Sequence, residues 1–171
     1  AIVFNGEIYN YRELREELIQ YGQVFLTDSD TEVLLKAWIF WGENCISRLV
    51  GMFAFAVFDK KLNKLFLGRD RFGEKPLYYG WQKRIFYFAS ELKAIRKHLN
   101  FNPEMNQDAL QEYMKYSYIP APLSIYKGIQ KLTPGCILTI SLDKPEGNMS
   151  IESFWNLSKV AANAQQSMFS G

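Results

Sequence analysis

The sequence predicts an α+β fold built in layers, with amphipathic helices lying against a sheet that is buried on both faces. Three observations predict it. Helical periodicity runs to Gly42 and gives way from Gly51 to short aromatic strands separated by polar or Gly/Pro turns. The chain carries 13 Phe, 10 Tyr and 4 Trp, a content that suits the broad, flat core of strand-rich layers. Within "MFAFAVFD", Phe53, Phe55 and Val57 fall on one face and Ala54, Ala56 and Phe58 on the other. Both faces are apolar, so helices are expected on one side of this sheet and a second sheet or layer on the other.

Taken in order, "IVFNGEIY" is β-branched and aromatic and predicts a short strand ending near Asn5 to Glu7. "NYRELREELIQYG" predicts a helix with Asn10 at its N-cap and Glu13 three positions on. Tyr11, Leu14, Leu18 and Ile19 form its apolar stripe, and Gly22 stops it. A short strand is expected at "QVFL". "SDTEVLLKAWIFWG" is a second helix, opened by a Ser29–Glu32 capping box and closed by Gly42, and "NCISRLV" adds a helical turn. "MFAFAVFD", "KLFLGRD", "PLYYGW" and "RIFYFAS" predict four strands of one antiparallel meander. Helices over "ELKAIRKHL" and "NQDALQEYMKYS" follow. The Pro/Gly-punctuated connector "IPAPLSIYKGIQKLTPG" then leads to the strand "CILTISL". Beyond it periodicity fades into small polar residues, which predicts a linker toward a further domain.

Composition narrows the function. With 171 residues, 48% hydrophobic and 22% charged, the chain supports one well-buried domain, or one domain and the edge of the next. A net charge of +2, with Lys and Arg scattered among Asp and Glu, argues against a nucleic-acid face. Cys45 and Cys136 are far apart, His98 is the single histidine, and no CxxC or HxxxH spacing occurs, so no metal site is expected. Two lone thiols without a signal peptide point to a reducing, cytoplasmic setting. "MFAFAVF" is too short to span a bilayer, so no membrane partner is expected.

The residues able to carry chemistry begin with Asn5, Gly6 and Glu7, where the first strand ends. An Asn-Gly pair is most simply a tight turn. It also offers a side-chain amide and an adjacent backbone N–H, two neutral donors able to converge on one oxygen as an oxyanion hole does. Glu7 would set a carboxylate nearby for an ammonium group. In "DSDTE", Ser29 and Glu32 are explained by capping, and Asp30 sits at the first helical position, where the helix dipole favours a charged carboxylate. Arg69, Asp70, Arg71 and Lys75 read as a solvated corner between strands, and the phosphate-cradling GxxxxGK[ST] pattern is absent. His98 reads as a helix-end histidine, and Cys45 and Cys136 as core or half-buried thiols.

Seven segments occur in a specific order: "FNGEIYNYRELREEL", "SDTEVLLKAWIFWG", "RLVGMFAFAVFD", "LFLGRDRFGEKPLYY", "FASELKAI", "IPAPLSIYKGIQKLTPG" and "FWN". In that order they resemble the glutaminase half of glutamine-dependent asparagine synthetases, over residues 1–155. The resemblance implies a class II glutamine amidotransferase domain of the N-terminal-nucleophile hydrolase type. That fold is a four-layer α/β/β/α sandwich of two antiparallel sheets between helices, here expected to lack its first strands. It implies that a cysteine at the mature N-terminus, with its α-amine as base, attacks the side-chain amide of glutamine and that water resolves the thioester. By the resemblance Asn5 and Gly6 match the oxyanion hole, and Glu7 and Asp30 match the carboxylates that hold the α-ammonium of glutamine. "RDRFGEKPLYY" and "SEL" match the body of the domain, without a catalytic role.

Departures from the family pattern shape the rest of the expectation. Position 1 is Ala, and neither Cys45 nor Cys136 occupies the nucleophile position. The arginine expected to bind the glutamine carboxylate is missing, and no S-G-G-x-D-S loop appears. The sequence therefore reads as an interior piece of a longer synthetase, inactive alone, with residues 156–171 leading toward a C-terminal synthetase domain. No cofactor is expected in these residues; ATP and Mg²⁺ are expected in that other domain, which would be the partner alongside glutamine, with a homodimer left open. Two other readings stand beside this one: a non-catalytic amidotransferase-like interaction module, and a related amidotransferase acting on another acceptor acid.

Overall fold

A computed structural model describes residues 1–143 and 149–166. The strands are β1 (Ile2–Ile8), β2 (Gly51–Asp59), β3 (Lys64–Arg69), β4 (Tyr78–Gln82), β5 (Ile85–Ala89), β6 (Ile129–Lys131), β7 (Cys136–Ser141) and β8 (Met149–Ser153). The helices are α1 (Tyr11–Gln20), α2 (Asp30–Trp41), α3 (Leu92–Arg96), α4 (Gln107–Tyr116) and α5 (Leu157–Gln166), and a 3₁₀ segment spans Gly42–Arg48. One antiparallel sheet runs β1-β2-β3-β7-β8 and a second runs β5-β4-β6.

Alternation along the strands builds four layers. Phe53, Phe55, Val57 and Phe66 point to one side of the larger sheet and bury with Leu14 and Leu18 of α1 and Val33, Leu34 and Trp38 of α2. Ala54, Ala56, Leu67 and Leu138 point to the other side and meet Tyr79 and Phe86 of the smaller sheet and Leu77 just before it. The far face of that sheet, through Tyr87 and Ile129, packs on Ile95 of α3. The order is helix, sheet, sheet, helix, with both faces of β2 covered as its apolar alternation requires.

Several local readings are corrected. The four aromatic strands are not one meander: β2–β3 and β4–β5 are hairpins in different sheets. No strand forms at "QVFL". Instead the Glu32 carboxylate accepts the Leu26 and Thr27 backbone N–H groups at 2.8 and 2.6 Å, which holds that segment as a loop against α2. The expected capping box is thus half formed, with Ser29 Oγ accepting from Glu32 N at 3.3 Å. Asn10 does not cap α1. Its side chain reaches 40 residues along the chain to accept from Val50 N (2.9 Å) and 38 to donate to Arg48 O (3.0 Å), fastening the helix start to the entry of β2. Ile19 is exposed rather than part of the apolar stripe. The connector holds β6, and β8 and α5 follow β7; residues 144–148 and 167–171 of the stretch in which periodicity fades lie outside the described residues.

At the corner "RDRFGEKP", read as solvated, Arg69 and Asp70 are buried, while Phe72 and Glu74 are exposed. Asp70 is 0% exposed, and its carboxylate accepts four backbone N–H groups: Phe53 (3.2 Å), Phe72 (3.1 Å), Glu74 (2.9 Å) and Lys75 (3.0 Å). Arg69, 9% exposed, donates to three carbonyls, those of Lys75, Leu132 and Gly73 (2.8, 2.6 and 2.7 Å). Burial pulls its guanidinium pKa down, with Asp70 pulling the other way. One acidic and one basic side chain thereby satisfy the polar groups of the tight passage between the two sheets.

Replacing Asp70 with Asn keeps the shape but presents an NH₂ group to N–H donors. We expect Asp70→Asn to cost ~3 kcal/mol of stability, because buried donors lose their acceptor. Urea unfolding measures this, and a loss below ~1 kcal/mol would contradict the role of the carboxylate.

Candidate functional site

The phase of the β1–β2 ladder decides what the first strand offers. Ala1 and Phe58 exchange both backbone hydrogen bonds (2.8 and 3.0 Å), and Tyr9 N donates to Val50 O at 2.7 Å. In an antiparallel pair such residues alternate with pairs whose polar groups point outward. Gly6, opposite Phe53, and Ile8, opposite Gly51, therefore turn their N–H groups away from β2. Among the described residues no strand pairs with that outer side of β1.

Asp30 reads this phase directly. Its Oδ2 accepts the outward Ile8 N–H at 3.1 Å, which fixes the start of α2 to the end of β1. The carboxylate thus lies against the Glu7–Ile8 peptide, and its Oδ1 accepts from Thr31 Oγ1 at 3.4 Å. Glu7 is exposed, and its carboxylate makes no hydrogen bond or ion pair among the described residues. The four sequence-identified residues, Asn5, Gly6, Glu7 and Asp30, are brought to one end of one edge strand.

Gly6 is also required by packing. Its φ is +153°, and a Cβ there would collide with the Met52 carbonyl and lie 2.7 Å from Phe53 Cα. Asn5 and Gly6 are not a turn; both are inside β1.

Even-numbered residues Ile2, Phe4 and Ile8 face the α1–α2 layer, so Asn5 faces the smaller sheet. There a cleft of about 220 Å³ opens between the sheets, with Val3, Ala54, Leu77 and Phe88 among its apolar walls. Asn5 Nδ2 donates to Ser90 Oγ across it at 3.0 Å. Sequence reasoning missed Ser90, which lies 85 positions away.

The other polar candidates sit elsewhere. Cys45 is 0% exposed, and burial pushes its thiol up to about 12. Cys136 is buried at the start of β7, and burial raises its thiol too. His98 follows α3 in the outer helix layer, its Nδ1 accepting from Asn100 N at 3.2 Å and its ring 5.2 Å from Tyr87. Among the described residues no cluster of three or more His, Cys, Asp or Glu is placed to hold a metal ion, and no helix is long and apolar enough to cross a membrane.

Comparison with known proteins adds to this geometry. A family model for the glutamine amidotransferase domain matches residues 1–155. The chain is 44% identical over 154 residues to asparagine synthetase [glutamine-hydrolyzing] 1 of Bacillus subtilis, covering 90% of this chain and 24% of that protein. It is 45% identical over 147 residues to the putative asparagine synthetase [glutamine-hydrolyzing] 2 of Methanocaldococcus jannaschii, covering 85% and 28%. The chain therefore spans about a quarter of the length of these relatives. Among solved structures, glutamine phosphoribosylpyrophosphate amidotransferase from B. subtilis superposes with a TM-score of 0.61 at 23% identity, covering 91% of this chain and 29% of that one. An allosteric regulatory enzyme of purine biosynthesis gives 0.63 at 23% identity, covering 91% and 28%. Those two likenesses show the fold, a sandwich of two antiparallel sheets between helices.

Burial of both thiols has a measurable consequence. Iodoacetamide at pH 8 should leave Cys45 and Cys136 unmodified in the folded chain and alkylate both in denaturant, since only an accessible thiolate reacts. Labelling of Cys45 under native conditions would overturn this. Because the folded Cys45 thiol ionises later than the unfolded one, its contribution to stability is complete below pH 9 and declines from there to about 12.

Proposed function

The chain belongs to the glutamine amidotransferase domain family, and on that premise we propose that it is the glutaminase part of a glutamine-hydrolysing asparagine synthetase. Identities of 44% and 45% with asparagine synthetases support the choice of parent. The observation that carries the site reading is the outward Gly6 N–H, which shares the open edge of β1 with the Asn5 amide and the Asp30 carboxylate.

In this reading attack on the glutamine side-chain amide places negative charge on its oxygen. The Asn5 Nδ2–H group approaches from the cleft face and the Gly6 N–H from the plane of the sheet, two donors organised before charge develops. Glu7 and Asp30 hold the α-ammonium of glutamine. The nucleophile is not Cys45 or Cys136, both buried as neutral thiols. A cysteine outside these residues, with its own α-amine as base, forms the thioester and expels ammonia, and water then releases glutamate. The net change is glutamine and water to glutamate and ammonia. The ammonia passes to a synthetase domain where ATP, with Mg²⁺, activates aspartate for conversion to asparagine. Residues 1–155 form the amidotransferase unit and 156–171 lead to that domain. By themselves the 171 residues do not turn over glutamine.

In the longer protein carrying this domain, Asn5→Ala should lower glutamate release from glutamine on the order of 10²-fold while asparagine formation from added ammonia persists. An unchanged glutaminase rate would remove Asn5 from the oxyanion hole, and absence of ammonia-dependent asparagine would sink the choice of acceptor. Asp30→Asn keeps an oxygen for Ile8 N–H and should mainly raise the KM for glutamine, because substrate and transition state both carry the ammonium.

A further inference from the structure

Ser90 lies outside every segment given a chemical role, yet among the described residues it is the hydrogen-bond partner of the Asn5 side chain. We propose that Ser90 is a positioning residue for the oxyanion donor: its hydroxyl accepts one Nδ2–H of Asn5 and aims the other at the reacting oxygen. This rests on the reading of Asn5 given above.

The placement supports it in three ways. First, Asn5 stands on an edge strand and is exposed, so its carboxamide has little packing to fix its torsions. The contact to Ser90 Oγ at 3.0 Å is its side-chain hydrogen bond. A terminal amide torsion is broad in the absence of a partner, and an unheld donor gains nothing from preorganisation.

Second, the surroundings leave no substitute. The cleft walls are Val3, Phe4, Ala54, Leu77, Phe88 and other apolar residues, and Asn5 and Ser90 are the polar side chains that line it.

Third, Ser90 is itself rigidly mounted. It follows directly on Ala89, the last residue of β5, which pairs with Tyr78 of β4, and Leu92 and Ile95 just beyond it are seated in the outer core. The orienting group therefore belongs to the smaller sheet and the donor to the larger one. The carboxamide has two N–H groups; one is used by Ser90 and the second is left for the substrate.

The test uses the longer protein carrying this domain, with glutamate release from glutamine as the readout and a thermal melt as the check on folding. Ser90→Ala should lower kcat by about tenfold, a fraction of the 10²–10³-fold that loss of a whole donor costs, with KM for glutamine unchanged. Ser90→Thr, which keeps the hydroxyl, should restore most of the rate. On an Asn5→Ala background Ser90→Ala should cost nothing further, because its only effect runs through that amide. An unchanged kcat in Ser90→Ala, or the same loss with and without Asn5, would overturn the proposal while leaving the oxyanion role of Asn5 standing. If Asn5→Ala alone leaves the rate unchanged, the site reading fails and the role of Ser90 fails with it.

Discussion

The fold turns on the buried carboxylate of Asp70. Its four backbone donors come from β2 and from the passage out of β3, so one side chain fastens a strand of the larger sheet to the segment that crosses to the smaller one. The backbone of Asp70 repeats the link, with its N–H on Phe53 O at 2.9 Å and its carbonyl accepting from Gly73 and Gly135 at 3.2 and 2.8 Å. Phe53 thus spends both of its backbone polar groups on Asp70. Across the ladder its partner is Gly6, whose polar groups must then point the other way. The direction of the candidate oxyanion donor is set by a carboxylate on the opposite side of β2.

Gly6 meets two demands that point to the same residue. The close approach of β2, with the Met52 carbonyl where a Cβ would sit, excludes any side chain. A free N–H beside a substrate carbonyl asks for the same openness. Because the structural demand is sufficient alone, substitution of Gly6 reports on folding first. Asn5 is the more informative position: its side chain leaves the sheet and donates to Ser90 across the cleft.

What the sequence made legible follows from range. The two-sided apolar alternation of residues 53–58 was readable because strand period is local, and it led to the right layers. Whether "PLYYGW" continued the sheet of "KLFLGRD" was not readable, since both hairpins have the same local pattern. The answer lay in Asp70, whose charge looked like a surface feature until its donors were in place. Asn10 and Glu32 were each assigned to a cap because the signature is local; their carbonyl and carboxylate oxygens in fact serve backbone groups elsewhere. The grouping of Asn5, Gly6, Glu7 and Asp30 came through resemblance; strand and helix ends bring them together through the bond from Ile8 N to Asp30 and the packing of Ile8 with α2. Ser90 falls in the "SEL" segment matched only to the body of the domain, and nothing in the sequence marks it for a role at the site, since a serine before a short helix is ordinary and its partner is remote.

The location on an edge strand has a physical reason. A strand inside a sheet commits every backbone N–H to a neighbour, so a backbone donor for chemistry has to come from an edge, a bulge or a loop. An edge left wholly open invites pairing with other chains. In β1 the outward N–H of Ile8 is taken by Asp30, while that of Gly6, two residues earlier, faces the same side with no strand of the described residues against it. Asp30 therefore does more than receive a cation in the proposed site. It closes the ladder immediately beyond the donor and ties α2 to the strand, so that the open stretch is short and its orientation is held by the helix as well as by β2.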